Sequence, residues 1–262
     1  MSNSSYYFLP KLFAILLRII DYFRLLPWRI YRLFKYIFRG FWNLRVFYTI
    51  GIGYVLRNQP LQKFMYWSCE VMICFLELCG VPEIYETISD FSKPKTRPLY
   101  DWEIKMAKEV FGNGINYKRV RIDEGAYIGP KQQHFCYVSF YIINSWGKMS
   151  NSTLIHEMVH IWQYENMGAV YIPRALWAQT THEGYDYGGL QQLKLFLKQG
   201  RTLFDFNLEQ QGDIVADYFK LKKGYAPQWG NATTYDLNIY EEIIYEKLKT
   251  KNEGEREDQF KI

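Results

Sequence analysis

Acidic side chains are almost missing from the front of this chain. Residues 1–63 hold Asp21 alone against ten Lys or Arg, a balance of +9, whereas the whole 262-residue chain is +5 and the remainder is therefore −4. That asymmetry points to an anionic partner for the front end. Long apolar runs are lacking too. Residues 8–20 are interrupted by Lys11 and Arg18, residues 64–81 carry Glu70 and Glu77, and the apolar run at 46–56 is 11 residues long. A spanning helix needs about 20. No small-residue cleavage site follows an apolar segment, which argues against a signal peptide. Cysteine is scarce. Cys69, Cys74 and Cys79 recur every five residues, which spreads them around a helix, and Cys136 stands apart. None has metal-site spacing, so free thiols in a reducing compartment are expected. There is no internal repeat.

Histidine is as scarce as cysteine, with four in the chain, yet two of them share one pentapeptide, His156-Glu157-Met158-Val159-His160. Positions i and i+4 of a helix lie on one face, so both imidazoles can reach one metal ion. Glu157 follows the first of them and can act on a water held there. This is the His-Glu-x-x-His arrangement of zinc hydrolases. The surrounding residues support a helix over 153–165, with Ser150, Asn151 and Ser152 offering N-cap side chains and Gly168 as the stop. Leu154, Ile155, Met158, Val159, Ile161 and Trp162 make it apolar on most sides, hence buried. Two His and a Glu inside such a helix need partners, and a metal satisfies all three.

Zinc chemistry of this kind uses three protein ligands. Gln163 and Asn166 occupy the positions at which the extended motif His-Glu-x-x-His-x-x-Gly-x-x-His requires Gly and His, which excludes that class. The downstream candidate is Glu209-Gln210-Gln211-Gly212-Asp213, on a helix predicted over 206–221. Glu209 and Asp213 share a face, so one can bind the metal while the other accepts the free N–H of a ligand His. Glu183, in a Gly-rich stretch with no Asp four residues on, is the competitor.

In these motifs the sequence resembles the gluzincin metallopeptidases, whose pattern is His-Glu-x-x-His followed on a later helix by Glu-x-x-x-Asp. The resemblance implies His156, His160 and Glu209 as zinc ligands, Glu157 as general base and Asp213 as the partner of a ligand imidazole. With Gln163 extending the first motif, residues 117–222 are also similar to bacterial Vgr-related proteins and the core domain of contractile injection systems.

Residues 135–143 are aromatic and β-branched and predict one strand, with another at 117–122. The first is the candidate edge strand for pairing with an extended substrate. Residues 180–189 read as a loop. His182, Tyr185 and Tyr187 on it are candidates to stabilise an oxyanion. His134 is expected at a surface or a strand edge.

At the front end, residues 27–48 predict a cationic amphipathic helix. Arg29, Arg32, Lys35 and Arg39 cluster on one side, and Leu26, Ile30, Leu33, Phe34, Ile37 and Phe41 on the other, with Trp28 and Trp42 among its aromatics. Such a helix suits the plane of an anionic membrane surface, here through residues 18–63, at the cytoplasmic face. The broad apolar side argues against nucleic acid. Residues 91–98, polar with two Pro, read as a linker between a basic helical region at 1–90 and a domain at 99–262. Helices are predicted at 101–111 and 231–248, and residues 249–262 read as a charged, frayed end. The expected fold is α+β and zincin-like: mostly helical, with a small sheet beside the active-site helix and a basic α-helical region in front. The expected activity is zinc-assisted hydrolysis of a peptide or protein substrate. The alternative is a zincin fold that keeps its metal for structure or assembly.

Overall fold

The computed structural model describes residues 4–50, 59–93, 95–127, 129–133 and 135–248, without the side chains of 4–10, 41–50, 59–62, 133 and 245–247. The expectations for Phe41, Trp42, His134 and residues 249–262 lie outside these. The described chain is mostly helical with a small mixed sheet, an α+β arrangement. It divides into two compact units, residues 1–92 and 93–262.

The first unit consists of α1 (Ser4–Ile50), α2 (Gln59–Leu78) and α3 (Val81–Ser92), with α1 packed on both others. Gly40 sets the α1–α2 approach. A Cβ there would lie 2.0 Å from the Trp67 indole, which instead rests on the α1 backbone and donates to the Tyr36 carbonyl at 2.7 Å. On the basic side of α1, Lys35 and Arg39 are half-buried, and Arg29 and Arg32 face inward. Arg29 is 1% and Arg32 3% exposed. Arg29 forks onto Glu83 at 2.6 and 3.1 Å and donates to the Glu77 carbonyl. Arg32 meets Glu77 at 3.4 Å, and Arg18 meets Glu86 and Asp90. A helical wheel shows which side of α1 is basic. It cannot show that α2 and α3 bring Glu77, Glu83, Glu86 and Asp90 against it.

The second unit is built around one four-stranded sheet of short strands, β1 (Thr96–Pro98), β2 (Arg121–Asp123), β3 (Tyr137–Ser139) and β4 (Ile142–Asn144), in the order β1-β2-β4-β3. Its pairs are antiparallel except β2 with β4, where Ile122 faces Ile143. Helices α4 (Asp101–Phe111), α5 (Pro130–Gln133), α6 (Asn151–Met167), α7 (Tyr171–Thr180), α8 (Gly189–Lys198), α9 (Leu208–Lys222) and α10 (Leu237–Leu248) complete it. The stretch read as a linker is divided, since Phe91 and Ser92 close α3 while Thr96–Pro98 is a strand. The single strand expected over 135–143 is instead a hairpin of β3 and β4, turning at Phe140, whose φ is 58°, and Tyr141. The strand expected at 117–122 begins later, at Arg121.

Edge strand β3 packs beside α6. Val138 pairs opposite Ile143. Its carbonyl accepts from the Tyr171 hydroxyl at 2.5 Å.

Two helices carry the centre of the unit. Ser150 caps α6, its hydroxyl accepting from Thr153 N at 3.1 Å, and Gly168 ends the helix at φ 69°. Thirteen of its residues are buried, from Leu154 through Met167, in keeping with its apolar circumference. Asn207 caps α9 reciprocally with Gln210. The most extensive helix–helix packing in the described residues joins α6 to α9.

Candidate metal centre

The α6–α9 contact brings His156, His160 and Glu209 together. Their ligand atoms lie within 4.8 Å of one another. Glu209 Oε2 is 3.4 Å from His156 Nε2 and 3.5 Å from His160 Nε2. Bonds of about 2.0–2.1 Å to a tetrahedral zinc place neighbouring ligand atoms about 3.3–3.4 Å apart. Glu209 Oε2 thus stands near such an edge length from each imidazole.

Each donor is aimed by a partner of its own. Asp213 Oδ1 lies 2.8 Å from His156 Nδ1. A carboxylate only accepts, so Nδ1 carries the proton and Nε2 keeps its lone pair for the metal. His160 Nδ1 is 2.8 Å from Gln163 Oε1. The amide orientation follows from its other end, which donates to the Leu208 carbonyl and to Gln211 Oε1, both at 3.0 Å. Gln163 Oε1 is therefore the acceptor, and His160 too presents Nε2. Glu209 accepts from Gln179 Nε2, on α7, through Oε1 at 2.9 Å, which leaves Oε2 for the imidazoles. Ligand histidines in metal sites commonly give their second N–H to such a carboxylate or carbonyl.

Close approach of the helices depends on Gly212. A Cβ there would fall 2.6 Å from His156 Cε1 and 2.8 Å from both ring nitrogens. Behind Asp213 a further layer fixes the site. Its Oδ2 accepts from the Trp229 indole at 2.5 Å, and the Trp229 and Gln228 backbone N–H groups are held by buried Asp217.

Electrostatics agree with a cation at this point. Burial pushes the Glu209 carboxyl up, but the two imidazoles outweigh it and hold the group far below the usual carboxylate range. Burial acts downward on His156, yet Asp213, Glu209 and Glu157 carry it up to about 10. Three carboxylates around two imidazoles form an anionic pocket, which protons or a metal can neutralise. Glu157 is buried beside them, and burial raises its pKa. Its Oε2 has no hydrogen-bond partner. An unsatisfied buried acceptor costs about 1–3 kcal/mol, which a donor entering the site would relieve. Donor types, spacing and charge all fit zinc.

The loop candidates separate. Tyr185 stacks obliquely beside His156, ring centres 6.0 Å apart, and burial together with Glu209 raises its phenol pKa. Tyr187 is buried. Its hydroxyl donates to Asp217 at 2.9 Å and meets Tyr240 at 2.8 Å, a buried structural junction. His182 and Glu183 are both exposed on the loop. Sequence reasoning assigned no role to Gln179, Gly212 or Trp229. Gly212, inside an otherwise strong helix, was the one with a visible signal.

The arrangement is a His-His-Glu cluster whose ligand atoms lie within 4.8 Å of one another, with a buried carboxylate at its side. In an alignment 157 positions long that covers 52% of this chain, the sequence is 30% identical to the type VI secretion system spike protein VgrG2b of Pseudomonas aeruginosa. The chain spans 14% of the length of that relative. No protein-family model matches the chain, and no solved structure matches it.

Proposed function

We propose that this chain is a zinc-dependent hydrolase of gluzincin type, with a zincin-like fold in residues 93–262, acting on peptide bonds. The observation that carries the reading is the approach of Glu209 Oε2 to His156 Nε2 and His160 Nε2 at 3.4 and 3.5 Å, all three ligand atoms within 4.8 Å of one another, with Glu157 buried beside them. His156, His160 and Glu209 would hold the zinc, oriented by Asp213, Gln163 and Gln179. When bound, zinc supplies a Lewis acid that acidifies water and polarises a carbonyl. Glu157 takes up the proton of the attacking water and returns it to the leaving amine. Its raised pKa suits both halves of that exchange. The Tyr185 phenol donates to the oxygen on which charge develops.

Two measurements test this. Elemental analysis should find about one zinc per chain, lost in His156→Ala/His160→Ala. Glu157→Gln should keep the metal and lose turnover of an unstructured protein such as casein. Undiminished turnover in that variant would refute the assignment of the base.

A second reading is favoured by the likeness to a secretion-system spike protein. The metal then stabilises a zincin-like module used in assembly of such a system. Full zinc content, with no cleavage of any substrate by the wild type, would select it.

A further inference from the structure

The first unit has its polarity reversed. Arg18, Arg29, Arg32, Glu77, Glu83 and Glu86 are buried among its helices. Phe23, Phe34 and Phe38 are 64%, 54% and 66% exposed, and Leu16, Phe64, Met65 and Phe75 are exposed as well. In water both halves of this pattern are unfavourable. Buried ion pairs carry a desolvation cost of several kcal/mol per ion, and bare apolar surface costs about 25 cal/mol per Å². In hydrocarbon both become requirements. Charges must be neutralised inside the protein, and the outer face must be apolar.

Two further observations point the same way. Between α1 and α2 runs an apolar groove of about 400 Å³, lined by Leu33, Ile37, Trp67, Val71, Met72 and Phe75. Among the described residues no single helix is long and apolar enough to cross a membrane, but Lys63–Leu78 and Val81–Ser92, bent by 66°, reach that standard together.

We infer that residues 11–40 and 63–92 embed in the hydrocarbon layer of a lipid bilayer, with Arg18, Arg29 and Arg32 acting as internal ties and not as headgroup anchors. Exposed Phe side chains and the α1–α2 groove take up acyl chains. Glu77, Glu83, Glu86 and Asp90 hold the arginines away from the lipid.

Flotation of the purified full chain with vesicles of pure phosphatidylcholine in 1 M NaCl tests this. At that salt the screening length is about 3 Å, so headgroup attraction is suppressed. The protein should rise with the neutral vesicles. A Phe23→Asp/Phe34→Asp/Phe38→Asp variant of unchanged helicity should partition at least about a hundredfold less. Flotation with anionic vesicles at low salt alone would overturn the proposal in favour of headgroup attraction. A wild type that stays unbound and sediments as a dimer would overturn it in favour of a second copy as the occupant. Neither outcome depends on the variant folding.

Discussion

Replacing Gly212 by Ala isolates the contact on which the metal centre depends. Two effects oppose each other. Within a helix, Gly→Ala is favourable by roughly 0.5–1 kcal/mol, because the unfolded chain loses freedom and the helix gains propensity. Against this, the new methyl would stand 2.6 Å from His156 Cε1. Carbon atoms meet best at about 3.5–4.0 Å, so the gap falls short by about 1 Å. The ring has little room to yield. Its Nδ1 is tied to Asp213 at 2.8 Å, and Asp213 is tied in turn to Trp229. Overpacking of this kind costs typically 1–3 kcal/mol. In the metal-free protein the two effects should leave a net loss of about 0–2 kcal/mol, a modest shift in Tm. Zinc affinity should suffer more, since His156 Nε2 and Glu209 Oε2 can no longer keep their 3.4 Å spacing. A loss of about 10–100-fold is expected, comparable to removal of an orienting partner. Competition with a fluorescent chelator measures the affinity, and calorimetry with and without zinc measures the stability. If Gly212→Ala binds zinc as tightly as the wild type, the two helices do not meet at His156 as described.

Asp213→Ala and Gln163→Ala each remove the acceptor of one ligand imidazole and should weaken zinc binding by about 10–100-fold. Gln163→Ala also strands the Leu208 carbonyl and Gln211, as Asp213→Ala strands the Trp229 indole, so each should lower the stability of the metal-free protein by about 1–3 kcal/mol. Denaturant melts measure this, and a Gln163→Ala variant as stable as the wild type would contradict the bridging role of Gln163. Tyr187→Phe should destabilise the fold by about 1–3 kcal/mol with zinc content unchanged. Tyr185→Phe should instead lower kcat on an unstructured protein and leave Tm in place. Steady-state kinetics beside thermal melts would expose an exchange of these roles.

Much of the metal centre is legible along the sequence because helical periodicity fixes it locally. His156 and His160 share a face by their spacing alone, and so do Glu209 and Asp213. What sequence cannot supply is the third dimension of the partners. Gln179 comes from α7 and Trp229 from beyond α9, and nothing local marks either as aimed at Glu209 or Asp213. The turn between β3 and β4 was hidden for another reason. Phe140 and Tyr141 are strand-forming residues, and a positive φ at Phe140 runs against its residue type. In α1 the periodicity was readable but its direction was not. Whether Arg29 and Arg32 face out or in depends on carboxylates about fifty residues away.

The capped carbonyl of Val138 bears on how any chain could be bound. A sheet grows only where an edge offers free main-chain donors and acceptors. Tyr171 occupies the outward acceptor of β3. The other edge, β1, ends in Pro98, which has no N–H to give, and its Arg97 is committed to Glu103 and Glu124. With three-residue strands and both margins blunted, the sheet is a poor template for an added strand. It resists edge-to-edge association between copies, and it gives an extended peptide little main-chain purchase. Selectivity for a polypeptide near His156 would then rest on side-chain pockets, and scrambling a peptide's sequence would matter more than methylating its backbone nitrogens.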